Sequence, residues 1–263
     1  MAKKCDFWQI FIFFHFKLII FIDCNMKILT LNLRKQFVNF LIAIMLVVVS
    51  LFAVLGVSLV TTSSVINGVY YSGNTESNKI SLMINVYWGT EYLDGMLEIL
   101  EEQDVKTTFF VGGTWAVKES DMLKKIYDAG HEIGNHGYTH KDQDKLNAEQ
   151  NKKEILTTHN IVNDLLDVNM ELFAPPSGAY SKTTVEVANE LGYKTIMWTR
   201  DTIDWRDKDV DLIYSRAVKD AKGGDLILMH PTECTLNALE RIIVTLKEQG
   251  FQLTTVSDNL SEE

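Results

Sequence analysis

The spacing of apolar residues divides the chain into an N-terminal part with no polar face and a longer part built of short alternating segments. Phe37 to Val60 reads FVNFLIAIMLVVVSLFAVLGVSLV, 24 residues without a charge, interrupted by Asn39 and two serines. Such a run leaves no face for water, which disfavours a core helix, and it exceeds the about 20 helical residues that cross a bilayer. A transmembrane signal anchor is therefore expected over 37–60. Lys27, Arg34 and Lys35 precede it and the next basic residue is Lys79. The positive-inside rule then puts 1–36 in the cytoplasm and everything beyond the span outside, as a single-pass protein of the cell membrane. Val60-Thr61-Thr62-Ser63-Ser64 offers no Ala-x-Ala cleavage site, so the anchor is expected to remain uncleaved. A second apolar run, Phe7 to Ile22, is broken by Gln9, His15 and Lys17. Met26-Lys27 after it resembles an ordinary start of a signal anchor, and 1–25 are read as lying outside the native protein.

Beyond the span, 61–78 is rich in Ser, Thr, Asn and Gly and reads as a linker. From Lys79 the pattern becomes short apolar runs between helical periodicities. Strands are expected at Ile80–Val86, Thr107–Val111, Glu132–Asn135, Thr195–Trp198 and Leu226–Met229. Helices are expected at Leu93–Gln103, Asp121–Ala129, Glu149–Leu166, Ser181–Glu190, Asp209–Asp220 and Leu236–Gln249. In the third of these, Ile155, Val162, Leu165 and Leu166 are read as inward. Strands alternating with helices of this length make an α/β domain over 79–263 with a parallel sheet and crossover helices. In that architecture the working residues gather at the carboxyl ends of the strands.

Composition excludes several classes of function. The chain carries 25 Lys and Arg against 35 Asp and Glu, but the first 64 positions hold six of the basic and two of the acidic residues, which leaves 19 against 33 for the rest. A domain so acidic is not a binder of nucleic-acid phosphates. Of three cysteines only Cys234 follows the span, so the domain has neither a disulfide framework nor a thiolate zinc site.

The candidate chemistry sits at expected strand ends. Gly134-Asn135-His136-Gly137-Tyr138-Thr139-His140 places two histidines four positions apart just after a strand. Imidazole is the commonest metal ligand and the side chain that most easily moves protons near neutral pH, yet two ligands alone make no metal site. Asn85 to Gly89 ends the first strand, Pro175-Pro176 follows Leu172-Phe173, Asp201 and Asp204 follow Trp198, and His230 follows Leu228-Met229.

On these residues 79–255 resembles the polysaccharide deacetylase family, or NodB homology domain. The resemblance implies a distorted (β/α)7-type barrel and hydrolysis of N-acetyl groups on chitin-like polymers or peptidoglycan. His136-Gly137-Tyr138-Thr139-His140 is similar to the family's His-Ser/Thr-x-x-His, whose histidines bind a divalent metal, usually zinc. Leu228-Met229-His230 matches its Leu-x-His, whose histidine is the general acid. Trp198-Thr199-Arg200-Asp201-Thr202-Ile203-Asp204-Trp205 matches Trp-x-x-Asp-x-x-Asp-Trp, with Asp204 supporting that acid. Trp88, Pro176, Trp198, Asp201 and Trp205 are expected to touch the glycan.

Two blocks depart from the pattern. Met83-Ile84-Asn85-Val86 stands where the family has Thr-Phe-Asp-Asp, so Asn85 replaces the base and Val86 the third ligand. Neither side chain has the chemistry of the carboxylate it replaces. Ala174-Pro175-Pro176-Ser177-Gly178 lacks the arginine of the third block. Glu91, in the loop after Asn85, is a candidate substitute base or ligand; alternatively it is a charge favouring the following helix dipole. Asp142 and Asp144 read as a solvated loop. The Trp-Gly-x-Glu and Ala-Pro-Pro-Ser-Gly forms resemble a sporulation-associated subgroup. Two functions follow: a membrane-anchored extracellular deacetylase of acetylated glycans, or an inactive member that binds glycan in the cell envelope.

Overall fold

The computed structural model describes residues 17–20, 29–54, 65–66 and 68–261, and the chain divides into two compact units, 1–60 and 61–263. In the first unit β1 (Lys17–Ile20) pairs antiparallel with β2 (Leu29–Asn32), and α1 follows over Leu33–Val54. The large side chains of α1 described, Phe37 to Val47, are exposed. Among the described residues no helix is long and apolar enough to cross a membrane. The C-terminal end of the expected span, 55–60, lies outside the described residues, as do most of the Phe7–Ile22 run and the Met26 start.

The second unit is built on one curled, mostly parallel sheet. Its strands are β3 (Val65–Ile66), β4 (Val69–Tyr70), β5 (Lys79–Val86), β6 (Thr108–Val111), β7 (Glu132–Asn135), β8 (Leu172–Phe173), β9 (Lys194–Ile196), β10 (Arg200–Asp201), β11 (Leu226–Met229) and β12 (Gln252–Leu253). They run in the order β10-β11-β5-β6-β7-β8-β9-β4-β3, with β12 also on β5. Every pairing is parallel except β3 with β4. The expected barrel is thus a half-barrel: among the described residues the path ends at β10 and β3 without closing. All eight residues of β5 are buried, which is why its sequence reads as nearly continuous apolar residues rather than an alternation.

The helices cover the sheet by their apolar stripes. α2 (Thr90–Glu102) buries Leu93, Met96, Leu97 and Leu100, spaced one turn apart, and each such side chain contributes about 1.5–3 kcal/mol on burial. The others are α3 (Gly113–Lys118), α4 (Ser120–Asp128), α5 (Ala148–Leu166), α6 (Lys182–Glu190), α7 (Val210–Val218), α8 (Glu233–Glu248) and α9 (Val256–Leu260). α5 starts at a reciprocal capping box between Asn147 and Gln150.

Two expectations are corrected here. The segment 61–78 is not a free linker: Val69 is fully buried, and β4 extends the sheet from β9. Its Ser, Thr, Asn and Gly content concealed a two-residue strand whose pairing with β9 is long-range. In α5, Ile155 and Val162 are buried and Leu166 packs against the core as expected, but Leu165 is exposed, and Asn151, Glu154 and Thr158 join the inward face.

Candidate active site

His136 follows the last residue of β7, where its backbone N–H donates to Val111 O at 3.0 Å and extends the sheet pairing by one residue. Its ring is buried, with Nδ1 2.7 Å from the carbonyl oxygen of Ala174. That oxygen has no proton to give, so Nδ1 carries the hydrogen and Nε2 keeps its lone pair. Burial, and then the proximity of His140, push this imidazole down to about 3, so it is neutral at any physiological pH. His140 lies edge-on to it, with ring centroids 5.1 Å apart, and Tyr87 packs 4.7 Å from His140. Burial lowers His140 as well. Gly137 between them has φ 72, a left-handed conformation that suits glycine.

His230 follows β11 and rests on Asp204. Its backbone N–H donates to Asp204 Oδ2 at 2.6 Å and its Nδ1–H to Oδ1 at 2.8 Å, and the Thr235 hydroxyl donates to Oδ2 at 2.5 Å. The carboxylate is wholly buried, so three donors stabilise a charge that water cannot reach. The arrangement fixes the ring orientation, and Trp88 stacks on it at 5.9 Å with 9° between planes.

These elements surround a cavity of about 480 Å³ at the carboxyl ends of the strands. Asn85, His136, His140 and His230 line it, as do Trp88, Trp198, Asp201 and Trp205. Tyr87, Ser177, Gly178 and Leu228 also line it and were not singled out from the sequence. Position at a strand end was their available signal. Gly178 has φ 63, and a Cβ there would stand 2.7 Å from Trp198 Cη2, so this glycine lets the indole close the wall.

Two expected site residues, Glu91 and Pro176, fall elsewhere. Glu91 is exposed in the first turn of α2, away from the cavity lining, where it complements the helix dipole. Pro176 is buried in a short 3-10 turn; its Cγ would lie 3.3 Å from a Cβ on Gly137, which makes it packing beneath the histidine turn. Asp142 is engaged by Lys145 at 2.5 Å, as a solvated loop would be.

The residues present do not fit a catalytic metal. Such a zinc takes three protein ligands; of the three imidazoles lining the cavity, His230 is engaged by Asp204, which leaves His136 and His140. Asn85 brings a neutral amide, and Val86 is fully buried in the main apolar core, outside the cavity lining. Among the described residues no group of three or more His, Cys, Asp or Glu is placed to hold a metal ion. What remains is His230 held on Asp204, an aromatic wall, Asp201 in the lining, and an amide, Asn85, where the resemblance leads one to expect a base.

A curled parallel sheet carrying a His–Asp pair and two further histidines at its strand ends defines the class of carbohydrate deacetylases. The chain belongs to the polysaccharide deacetylase family, whose model matches residues 72–196. It is 39% identical over 192 residues to the uncharacterized protein YlxY of Bacillus subtilis, across 73% of this chain and 60% of that protein's own length. It is 31% identical to a peptidoglycan-N-acetylglucosamine deacetylase of Bacillus cereus, across 64% of this chain and 82% of the relative. Among solved structures, a CE4 family pseudoenzyme from Bacillus anthracis superposes with a TM-score of 0.73 at 37% identity, across 75% of this chain and 70% of the other. A mutant of that pseudoenzyme, described as having restored enzymatic activity, superposes with the same TM-score of 0.73 at 35% identity.

Proposed function

We propose that this protein is a membrane-tethered, extracellular member of the family that binds N-acetylated glycan, peptidoglycan or a chitin-like polymer, without hydrolysing it. One observation carries the reading: Asn85, 4% exposed at the end of β5, sits on the cavity where water would need a base, and its Oδ1 has no hydrogen-bond partner. An amide takes no proton at neutral pH, so neither water activation nor a third ligand is available. The rest of a binding groove is intact. Trp88, Trp198 and Trp205 offer apolar faces for sugar rings, and a cavity of about 480 Å³ is of ligand size. The likeness to a pseudoenzyme supports the same reading. For the tether, the support is the charge-free run 37–60, with Lys27, Arg34 and Lys35 just before it and no basic residue after it until Lys79, and the exposed apolar side chains of α1.

The test is acetate release and binding by the full-length protein in detergent with zinc supplied. The expected result is saturable binding of an N-acetylated chito-oligomer, weaker binding of its deacetylated form, and acetate no higher than in the blank. Zinc-dependent acetate release with repeated turnovers would establish the deacetylase reading instead.

A further inference from the structure

The histidine turn is held by protein groups alone, and one carboxylate supplies most of the hold. Glu154 lies on the inward face of α5 and is 6% exposed. Its Oε2 accepts the backbone N–H groups of Tyr138 at 2.9 Å and Thr139 at 2.7 Å. Its Oε1 accepts the Thr139 hydroxyl at 2.7 Å, and Lys141 Nζ stands 3.6 Å from the same oxygen. The neighbouring groups are held as firmly. The Gly137 N–H donates to Asn135 Oδ1 at 2.9 Å, and the carbonyls of Gly137 and Tyr138 accept from the backbone N–H groups of Gly113 and Thr114. The next residue, His140, has φ 55, a conformation that costs a non-glycine residue energy and persists only where its surroundings impose it.

We propose that Glu154 is the positioning residue of this site: by holding the N–H groups of the two residues before His140 it keeps that imidazole in a left-handed conformation facing His136. Charged acceptors make the stronger hydrogen bonds, and two N–H groups on one buried oxygen make Glu154 the main restraint on the turn. The inference stands whether or not the cavity turns over a glycan. It accounts for a histidine pair whose ring centroids lie 5.1 Å apart although Val86 stands at the third ligand position. The sequence carried a signal for it: Asn151, Glu154 and Thr158 form a polar stripe on a helix face that also carries Ile155 and Val162.

The test is peptide-resolved hydrogen exchange on the full chain, wild type against Glu154→Gln, with carbethoxylation of His140 as a second readout. Glutamine keeps the shape but offers one accepting oxygen in place of two. The amides of 137–140 should exchange about 10-fold faster or more, as loss of a charge-assisted bond implies, while β5 and β11 keep their protection. His140 should react with diethylpyrocarbonate faster than in the wild type. Glu154→Ala should exaggerate both effects; if it fails to fold, the glutamine variant alone decides. Unchanged exchange over 137–140 in Glu154→Gln would overturn the proposal, as would an equal acceleration in β5 and β11.

Discussion

His230 uses its backbone N–H and its ring Nδ1–H on the two oxygens of one carboxylate, Asp204, at 2.6 and 2.8 Å. The pair is therefore a folding element as well as a proton-holding one. Asp204→Asn keeps the volume but turns one acceptor into a donor facing a donor, in a site without water. The variant should lose about 2–3 kcal/mol of stability, the scale for leaving a buried donor unpaired beside a lost charged bond. Urea unfolding of wild type and variant checks this; a difference under about 0.5 kcal/mol would mean that the site relaxes to admit water.

Stability should also fall in mild acid through histidines that fold neutral. His131 is buried and accepts the Thr107 N–H at Nδ1, 3.3 Å away, so protonation would remove an acceptor. Burial, with Lys106 adding to it, pushes this group from 6.5 down to about 4. Between those values the unfolded chain binds a proton that the folded chain refuses, so the His131 contribution is complete above 6.5 and is lost as pH falls toward 4. The slope is about 1.4 kcal/mol per pH unit for one such group. His136 acts in the same direction, down to about 3. His131→Asn, which keeps an acceptor and cannot titrate, should show a shallower decline in a series of unfolding curves. Parallel wild-type and variant curves would exclude His131 as a source.

The sequence made the fold legible where periodicity was strong. β7 and β11 fall at the expected residues, and α2, α4, α5 and α6 within a few positions, because each buries a face that repeats in the chain. It hid β4, only two residues long and stabilised by pairing with β9 far along the chain, and α3, six residues that begin at the second of two glycines. At the site, residues carrying charge or imidazole were visible from their position after strands. Asn135 was not, and Glu154 only as part of a polar stripe on α5, since their work is hydrogen bonding to backbone that only the folded turn presents. Glu91 misled because nearness in sequence to Asn85 is not nearness in the cavity: the start of α2 carries it to the surface.

Gly178→Ala should open the cavity wall. The residue has φ 63, and its new methyl group would meet Trp198 Cη2 at 2.7 Å. Backbone strain and displacement of the indole together should cost about 1–3 kcal/mol, and tryptophan emission should shift to the red as Trp198 gains water. Affinity for an acetylated oligomer should drop in parallel. Retained emission and affinity would place sugar contacts on Trp88 and Trp205 rather than on Trp198.

Asn85 and Val86 differ in what a carboxylate would do at each, and that separates loss of the base from loss of the ligand. Asn85 lines the cavity but is 4% exposed with Oδ1 unpartnered, so Asn85→Asp puts a nearly buried carboxylate beside the cavity and should cost about 1–3 kcal/mol. Val86 is fully buried among apolar side chains, so Val86→Asp buries an unpaired charge and should destabilise by several kcal/mol, on the order of 3 or more. If that aspartate turns toward His136 and His140, zinc binding becomes linked to folding, and the melting temperature of the double variant should rise with zinc concentration. Wild type, with two imidazoles only, should be indifferent to zinc in the same melts. Zinc-dependent recovery together with acetate release would show that the groove lacks only its carboxylates. A double variant that stays destabilised at saturating zinc would show that β5 aims position 86 into the core, so that restoring the residue type does not restore the site.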